Sequence, residues 1–342
     1  MGGIDDRTVP AKPTWLDGSV SILNAIVGDY LEQTDNGLAI EMAYYARGKA
    51  LELTKDALRD ALLASATDKV CVLVHGMACN ESCWFFPGQP ETSYGTLLQQ
   101  DFGYTPLSLR YNSGRHISDN GKAFAGLLEK LSQAYPMPIK ELVLIGHSMG
   151  GLLIRSACHY GEAQKHQWPR LLRAAFYLGS PHLGAPLEKL GGALSIAMHV
   201  VNEPVTRLVR KVVNLRSRGI KDLRHANLVD EDWLGGDPDT SLGNRRVYVP
   251  LQRNVQHYVV AGTLAKDERH LISQLFGDAV VRVASATGQP ADETHAPRFP
   301  TANLRIVPGL GHMNLTHDAD VYRIVREGCA ATATETEATG GR

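Results

Sequence analysis

From Lys69 onward, short runs of continuous apolar residues alternate with stretches whose apolar positions recur every three or four residues. Val70-Cys71-Val72-Leu73-Val74 has no polar position at all, the pattern of a strand covered on both faces. Tyr104 to Arg110 reads as a second strand. Ser118 to Leu131 reads as a helix with Phe124, Leu127, Leu128 and Leu131 on one side. Leu142-Val143-Leu144-Ile145 is another fully apolar strand, followed by a helix from about Met149 to His159, and Ala174 to Leu178 repeats the strand signal. Residues 255–264 and 304–307 supply two later strands, and Ala319 to Glu327 a closing helix. Strands in regular alternation with helices predict an α/β fold, a doubly wound and mostly parallel sheet with helices on both faces.

The flanking segments follow other patterns. In the first 66 residues Leu23, Ile26, Val27, Tyr30 and Leu31 mark one apolar helix face, and Thr54 is a good N-cap for a second helix reaching about Ala64. Between them, Ala39 to Ala46 fits a strand or a helix, because Ile40, Met42 and Tyr44 alternate with Glu41 and small residues. Residues 1–66 are therefore expected to form a mainly helical N-terminal extension, and 67–186 with 255–329 the α/β core. The alternation stops over 187–254, which is read as a cap or lid inserted over the C-terminal edge of the sheet. Residues 330–342, rich in Ala, Thr, Glu and Gly, are expected to be a disordered tail.

The sharpest chemical signal is Gly146-His147-Ser148-Met149-Gly150, directly after the strand Leu142–Ile145 and at the start of a helix. A tight strand-to-helix turn strains the serine backbone and exposes its hydroxyl above the sheet, while the glycines keep neighbouring Cβ atoms away. With 33 Gly in 342 residues, composition alone yields about 0.16 such pentapeptides in this chain, so the placement carries the argument. A serine hydroxyl needs a base, and the base needs an orienting acid. His312, in Gly311-His312-Met313 after the strand at 304–307, is the candidate base, with His317 and His295 as rivals. Asp278 is the candidate acid, with Asp267, in a charged loop, as its rival. Two backbone N–H groups facing the growing oxyanion complete such a site, and the amides of Met77 and Met149 are the candidates. Trp84-Phe85-Phe86 either wall an acyl pocket or belong to the ordinary core. His75, His147 and His182 are each expected to hydrogen-bond a loop carbonyl.

With these pieces assembled, the chain resembles the α/β-hydrolase superfamily, in its bacterial lipase and esterase branch. The resemblance rests on Val74-His75-Gly76-Met77, Gly146 to Gly151, Gly179-Ser180-Pro181-His182-Leu183-Gly184-Ala185-Pro186, Asp278 to Ala286, and Gly311-His312. The Ser-Pro-His-x-Gly-Ala segment is similar to bacterial lipases and to lipid deacylases that act on glycolipid inositol. The resemblance covers about 67–186 and 255–328. It implies an eight-stranded, mostly parallel sheet with an inserted cap, and a Ser-Asp-His triad working without cofactor on an ester or lipid. Many family members carry Gly after the acid, where this chain has Ala279. The same acyl-enzyme would also serve an acyltransferase or a lipid deacylase, and a non-catalytic ligand-binding protein of this fold is a further alternative.

Composition narrows the partners. Lys plus Arg number 35 against 36 Asp plus Glu, a net charge of −1, which lacks the footprint of a nucleic-acid binder. The five cysteines are irregularly spaced, and neither H-E-x-x-H nor paired C-x-x-C occurs, so no disulfide framework and no metal site are expected. Whether Cys79 and Cys83 form a bridge is open at this stage. The first residues show no basic segment followed by an apolar one, which points to the cytoplasm. Residues 207–224 hold seven Lys or Arg interleaved with Leu and Val. That segment is either an amphipathic lid making transient contact with an anionic lipid surface or a cap helix with a solvated basic face.

Overall fold

The computed structural model describes residues 15–62, 65–186, 217–234, 246–264, 281, 283–288 and 297–339. Ten strands are described: β1 (Ala43–Ala46), β2 (Lys49–Ala50), β3 (Lys69–Val74), β4 (Phe85–Phe86), β5 (Gln89–Ser93), β6 (Thr105–Arg110), β7 (Glu141–His147), β8 (Leu172–Leu178), β9 (Gln256–Thr263) and β10 (Leu304–Pro308). The described helices are α1 (Trp15–Gln33), α2 (Lys55–Leu62), α3 (Tyr94–Phe102), α4 (Ile117–Ala134), α5 (Met149–Ala163), α6 (Arg218–His225), α7 (Val283–Thr287) and α8 (Ala319–Thr339). Eight strands form one sheet in the order β10-β9-β8-β7-β3-β6-β1-β2. Every pairing from β10 to β6 is parallel, while β1 and β2 close the other edge antiparallel. This is the α/β, doubly wound and mostly parallel arrangement that the apolar pattern predicts.

The continuous apolar runs are explained by burial on both faces. Because strand side chains alternate, Val70, Val72, Val74, Leu142, Leu144 and Tyr177 face one layer, where they meet Phe124, Leu128 and Leu131 of α4 and Leu152 and Leu153 of α5. Cys71, Leu73, Val143, Ile145, Phe176 and Leu178 face the other, against Tyr94 and Leu98 of α3 and Val321 and Val325 of α8. A charged residue in any of these strands would meet a packed layer on either side.

One open segment is settled, and two others differ from the sequence expectation. Ala39 to Ala46, left between strand and helix, ends in β1, whose Tyr44 is fully buried and sits opposite Leu109 of β6. The stretch 1–66 thus supplies two strands to the sheet as well as α1 and α2. The helix α3 was not anticipated, since its apolar positions are weakly periodic. Its signal lies in its ends: Ser93 and Thr96 form a capping box, and Gly103 closes the helix at φ 72°. The tail expected to be disordered continues α8 as far as Thr339, in keeping with the helix preference of its Ala and Glu residues. Of the 187–254 insertion, 187–216 and 235–245 lie outside the described residues, and so does the 207–216 part of the basic segment. Its remaining part, α6, docks by its apolar side and turns its basic residues outward, with Arg218 exposed and Lys221 and Arg224 half-buried. Ile220 and Leu223 are buried, Asp222 is 0 % exposed, and the Ser217 hydroxyl donates to the Ala25 carbonyl of α1 at 2.6 Å.

Candidate active site

Ser148 joins the central strand β7 to α5 with φ 53° and ψ −120°, a conformation a non-glycine residue adopts only when its surroundings enforce it. The enforcement is visible in two neighbours. A Cβ on Gly150 would stand 2.2 Å from the Val74 carbonyl oxygen, and one on Gly146 would stand 2.6 Å from the Gly151 nitrogen. Only bare backbone lets the first turn of α5 settle onto the ends of β7 and β3. The amide of Ser148 donates to the Leu178 carbonyl of β8 at 2.9 Å, which ties the turn to the strand on its other side. Ser148 is 6 % exposed, and Met149 behind it is fully buried.

The loop after β3 lies against this turn. A Cβ on Gly76 would be 3.0 Å from the Ser148 Cβ. The Cys79 amide donates to the Gly76 carbonyl and Ala78 takes φ 60°, so Met77 and Ala78 form the tip of a tight turn beside the serine. Met149 is the first residue of α5, where the backbone N–H has no partner within the helix.

His312 opens a short 3-10 helix, His312–Thr316, after β10. Its backbone is held firmly. His147 Nε2 donates to the His312 carbonyl at 3.0 Å, and the two rings stand 4.7 Å apart, centroid to centroid. At the other end of the same turn the Thr316 hydroxyl lies 2.7 Å from the Cys83 carbonyl, and the Tyr94 hydroxyl lies 3.0 Å from the Leu315 carbonyl. His312 is therefore pinned beside the residue that precedes Ser148, and 6 % exposed. No hydrogen bond joins the Ser148 hydroxyl to the His312 ring among the described contacts. Such bonds commonly tighten only once substrate is bound.

The profile of a family described as the alpha/beta hydrolase family matches residues 71–324. The chain belongs to the alpha/beta hydrolase family. A lipase from Pseudomonas fluorescens is 29% identical over 114 residues, a stretch that covers 32% of this chain and 22% of that lipase. The mature form of a Bacillus licheniformis lipase aligns with a TM-score of 0.41 and 18% identity over 72% of this chain and 86% of its own. A Pyrococcus furiosus esterase aligns at 0.42 and 13% over 78% and 83% respectively.

Of the hydrolase residues named from sequence, the structure brings together Ser148, Met149, the Met77 turn and His312. Asp278 lies outside the described residues, as do its rival Asp267 and the rival histidine His295. His317 ends the 3-10 helix with its Nδ1 3.0 Å from the Thr316 hydroxyl, next to Asp318, whose carboxylate accepts from the Asp320 and Val321 amides at the start of α8. The motif histidines divide. His75 donates from Nδ1 to the Gly76 carbonyl at 2.8 Å and stacks on Tyr111, and burial pushes its pKa down to about 4. His147 serves His312 as described, and burial, then the neighbouring His312, holds it well below its ordinary value. His182 departs from expectation: neither of its ring nitrogens has a hydrogen-bond partner. Its ring is instead packed between Tyr177 and Phe299.

Trp84 belongs to the core, 1 % exposed against Tyr94, whereas Phe85 and Phe86 line a cavity of about 630 Å³ with Leu73, Pro90 and Pro106. Neither Ser148 nor His312 borders that cavity. Cys79 and Cys83 are free thiols. Among the described residues no group of three His, Cys, Asp or Glu is placed to hold a metal ion, and no helix is long and apolar enough to cross a membrane. His147 meets a loop carbonyl as expected, though that this carbonyl is His312's was not foreseen, and Tyr94, which reaches the same turn across more than two hundred residues of chain, escaped sequence reasoning. The Gly-x-Ser-x-Gly spacing points to neither role.

Proposed function

We propose that this alpha/beta hydrolase cleaves carboxylic esters through an acyl-enzyme on Ser148. The observation that carries the reading is the strained strand-to-helix turn at Ser148, with the backbone of His312 clamped to the residue preceding it. In the proposed reaction His312 takes the proton of the Ser148 hydroxyl as its oxygen attacks the ester carbonyl. The amides of Met77 and Met149 receive the oxyanion, and Asp278 holds the imidazole in the required tautomer. His312 then returns the proton to the departing alcohol, and a water molecule activated by the same ring releases the acid. Each oxyanion donor in such sites is worth about 3 kcal/mol of barrier, so the turn at Gly76–Cys79 matters as much as the base. An ester or lipid substrate agrees with the lipase and esterase relatives. Contact of the basic segment 207–224 with an anionic lipid surface belongs to the same proposal, and co-sedimentation with anionic vesicles at low salt tests it.

Ser148→Ala tests the reaction. The variant is expected to keep the wild-type melting temperature, to lose turnover of p-nitrophenyl butyrate and to escape labelling by a fluorophosphonate. Labelling of another residue, or turnover near the wild-type rate in the variant, would overturn the assignment.

A further inference from the structure

Arg155 lies on α5, two turns beyond Ser148, and is 4 % exposed. Its Nη2 donates to the Val249 carbonyl at 2.8 Å, while its Nε is buried and has no hydrogen-bond partner. Among the described residues no carboxylate pairs with it. The groups that act on its charge, besides burial, are Tyr177, Arg246, Tyr248 and Cys158. One of these is a second buried guanidinium: Arg246, 6 % exposed, donates to the His182 carbonyl at 3.2 Å. His182 itself is 1 % exposed, with both ring nitrogens unpartnered, and Arg155 and Arg246 both oppose its protonation. The four residues Arg246 to Val249 thus reach Arg155 at one end and the His182 loop at the other. The nearby His257 has nothing left to offer: its Nε2 donates to the Gln252 carbonyl and its Nδ1 accepts from the Tyr177 hydroxyl.

An arginine does not shed its proton inside a protein, so burial cannot neutralise this charge as it does that of His182. A buried ion without a counter-ion is among the costliest arrangements a core can hold. Internal water satisfies N–H groups but leaves the charge in place. We propose that a small monovalent inorganic anion, the size of chloride, is bound beside Arg155 Nε with a ring N–H of His182 as a second donor. The anion supplies the missing negative charge and ties the 246–249 segment to the helix that carries Ser148.

The test uses the full chain dialysed into sodium methanesulfonate, whose anion is too bulky for an interior site. Sodium chloride or bromide is then substituted at constant ionic strength while the melting temperature is followed. The expected result is a saturable rise with either halide, about 4 °C at a hundredfold excess over the half-saturating concentration. A bromide-soaked crystal is expected to show anomalous density beside Arg155. Arg155→Met, which removes the charge and keeps an apolar stem, is expected to lose the halide response. Superimposable wild-type melting curves in all three salts overturn the proposal, as does an undiminished response in Arg155→Met. Should that variant fail to fold, the wild-type titration and the bromide density decide: a bromide-soaked crystal without density beside Arg155 overturns the assignment.

Discussion

Gly150→Ala separates the packing account of the Ser148 turn from a mere sequence pattern. The added Cβ would stand 2.2 Å from the Val74 carbonyl oxygen and 2.7 Å from that of His75. Both atoms are backbone at the end of β3, so neither can rotate aside as a flexible side chain would. Relief requires the first turn of α5 and the β3 end to separate by on the order of 1 Å, in a region packed at crystal density. Overpacking of this kind costs about 1–3 kcal/mol, which lowers the melting temperature by roughly 1–4 °C in a chain of this size. The same displacement carries Ser148 and the Met77 turn apart, and misplacement by about 1 Å costs on the order of 100-fold in turnover. Gly126→Ala is the control. It sits within α4 with no atom within 4 Å of an added Cβ, so it is expected to stabilise by about 0.5–1 kcal/mol and to leave turnover unchanged. Calorimetry and p-nitrophenyl butyrate kinetics measure both effects. A Gly150→Ala enzyme within twofold of wild-type turnover and at the wild-type melting temperature would refute the reasoning.

Other outcomes follow from the same structure. His147→Phe keeps the ring volume and deletes the donor to the His312 carbonyl, so ester turnover is expected to fall at least tenfold with little change in KM, a split that steady-state kinetics reads. Burial holds His75 and His257 at pKa values of about 4, below the ~6.5 of an unfolded histidine, so the stability they confer is complete above pH 6.5 and is lost as pH falls towards 4. Each ring is expected to add about 1.4 kcal/mol per pH unit to that decline; urea titrations between pH 7 and 5 measure the slope, and His257→Gln should flatten it by one proton. Asp222→Ala strands three donors, His116 Nδ1, the Ile117 amide and the Asn227 side chain, and is expected to cost about 1–3 kcal/mol in urea denaturation.

The parallel strands β3, β6, β7 and β8 and the helices α4 and α5 were legible in the chain, because an apolar run such as Val70–Val74 needs cover on both faces and few folds provide it. The serine was legible for a local reason too: the tightness of its turn is written in the glycines two residues away on either side. The edge strand β1 was not, since Ala43–Ala46 becomes a strand only when β6 is beside it to take its hydrogen bonds. The helix α3 was marked by its caps, Ser93 and Gly103, rather than by periodicity.

Within the candidate site, sequence identified which residue types were available, and tertiary structure decided which of them meet. His312 could be nominated from its place after a late strand, but its approach to Ser148 depends on His147, Cys83 and Tyr94 gripping its turn from three separate parts of the chain. His182, alike in its motif to His75 and His147, ends without a polar partner because the loop after β8 directs it between two aromatic rings. The isolated charge of Arg155 is likewise invisible along the chain. Periodicity and turn chemistry act between neighbours in sequence and can be read there, whereas counter-ions and hydrogen-bond partners are set by distances that exist only after the layers have packed.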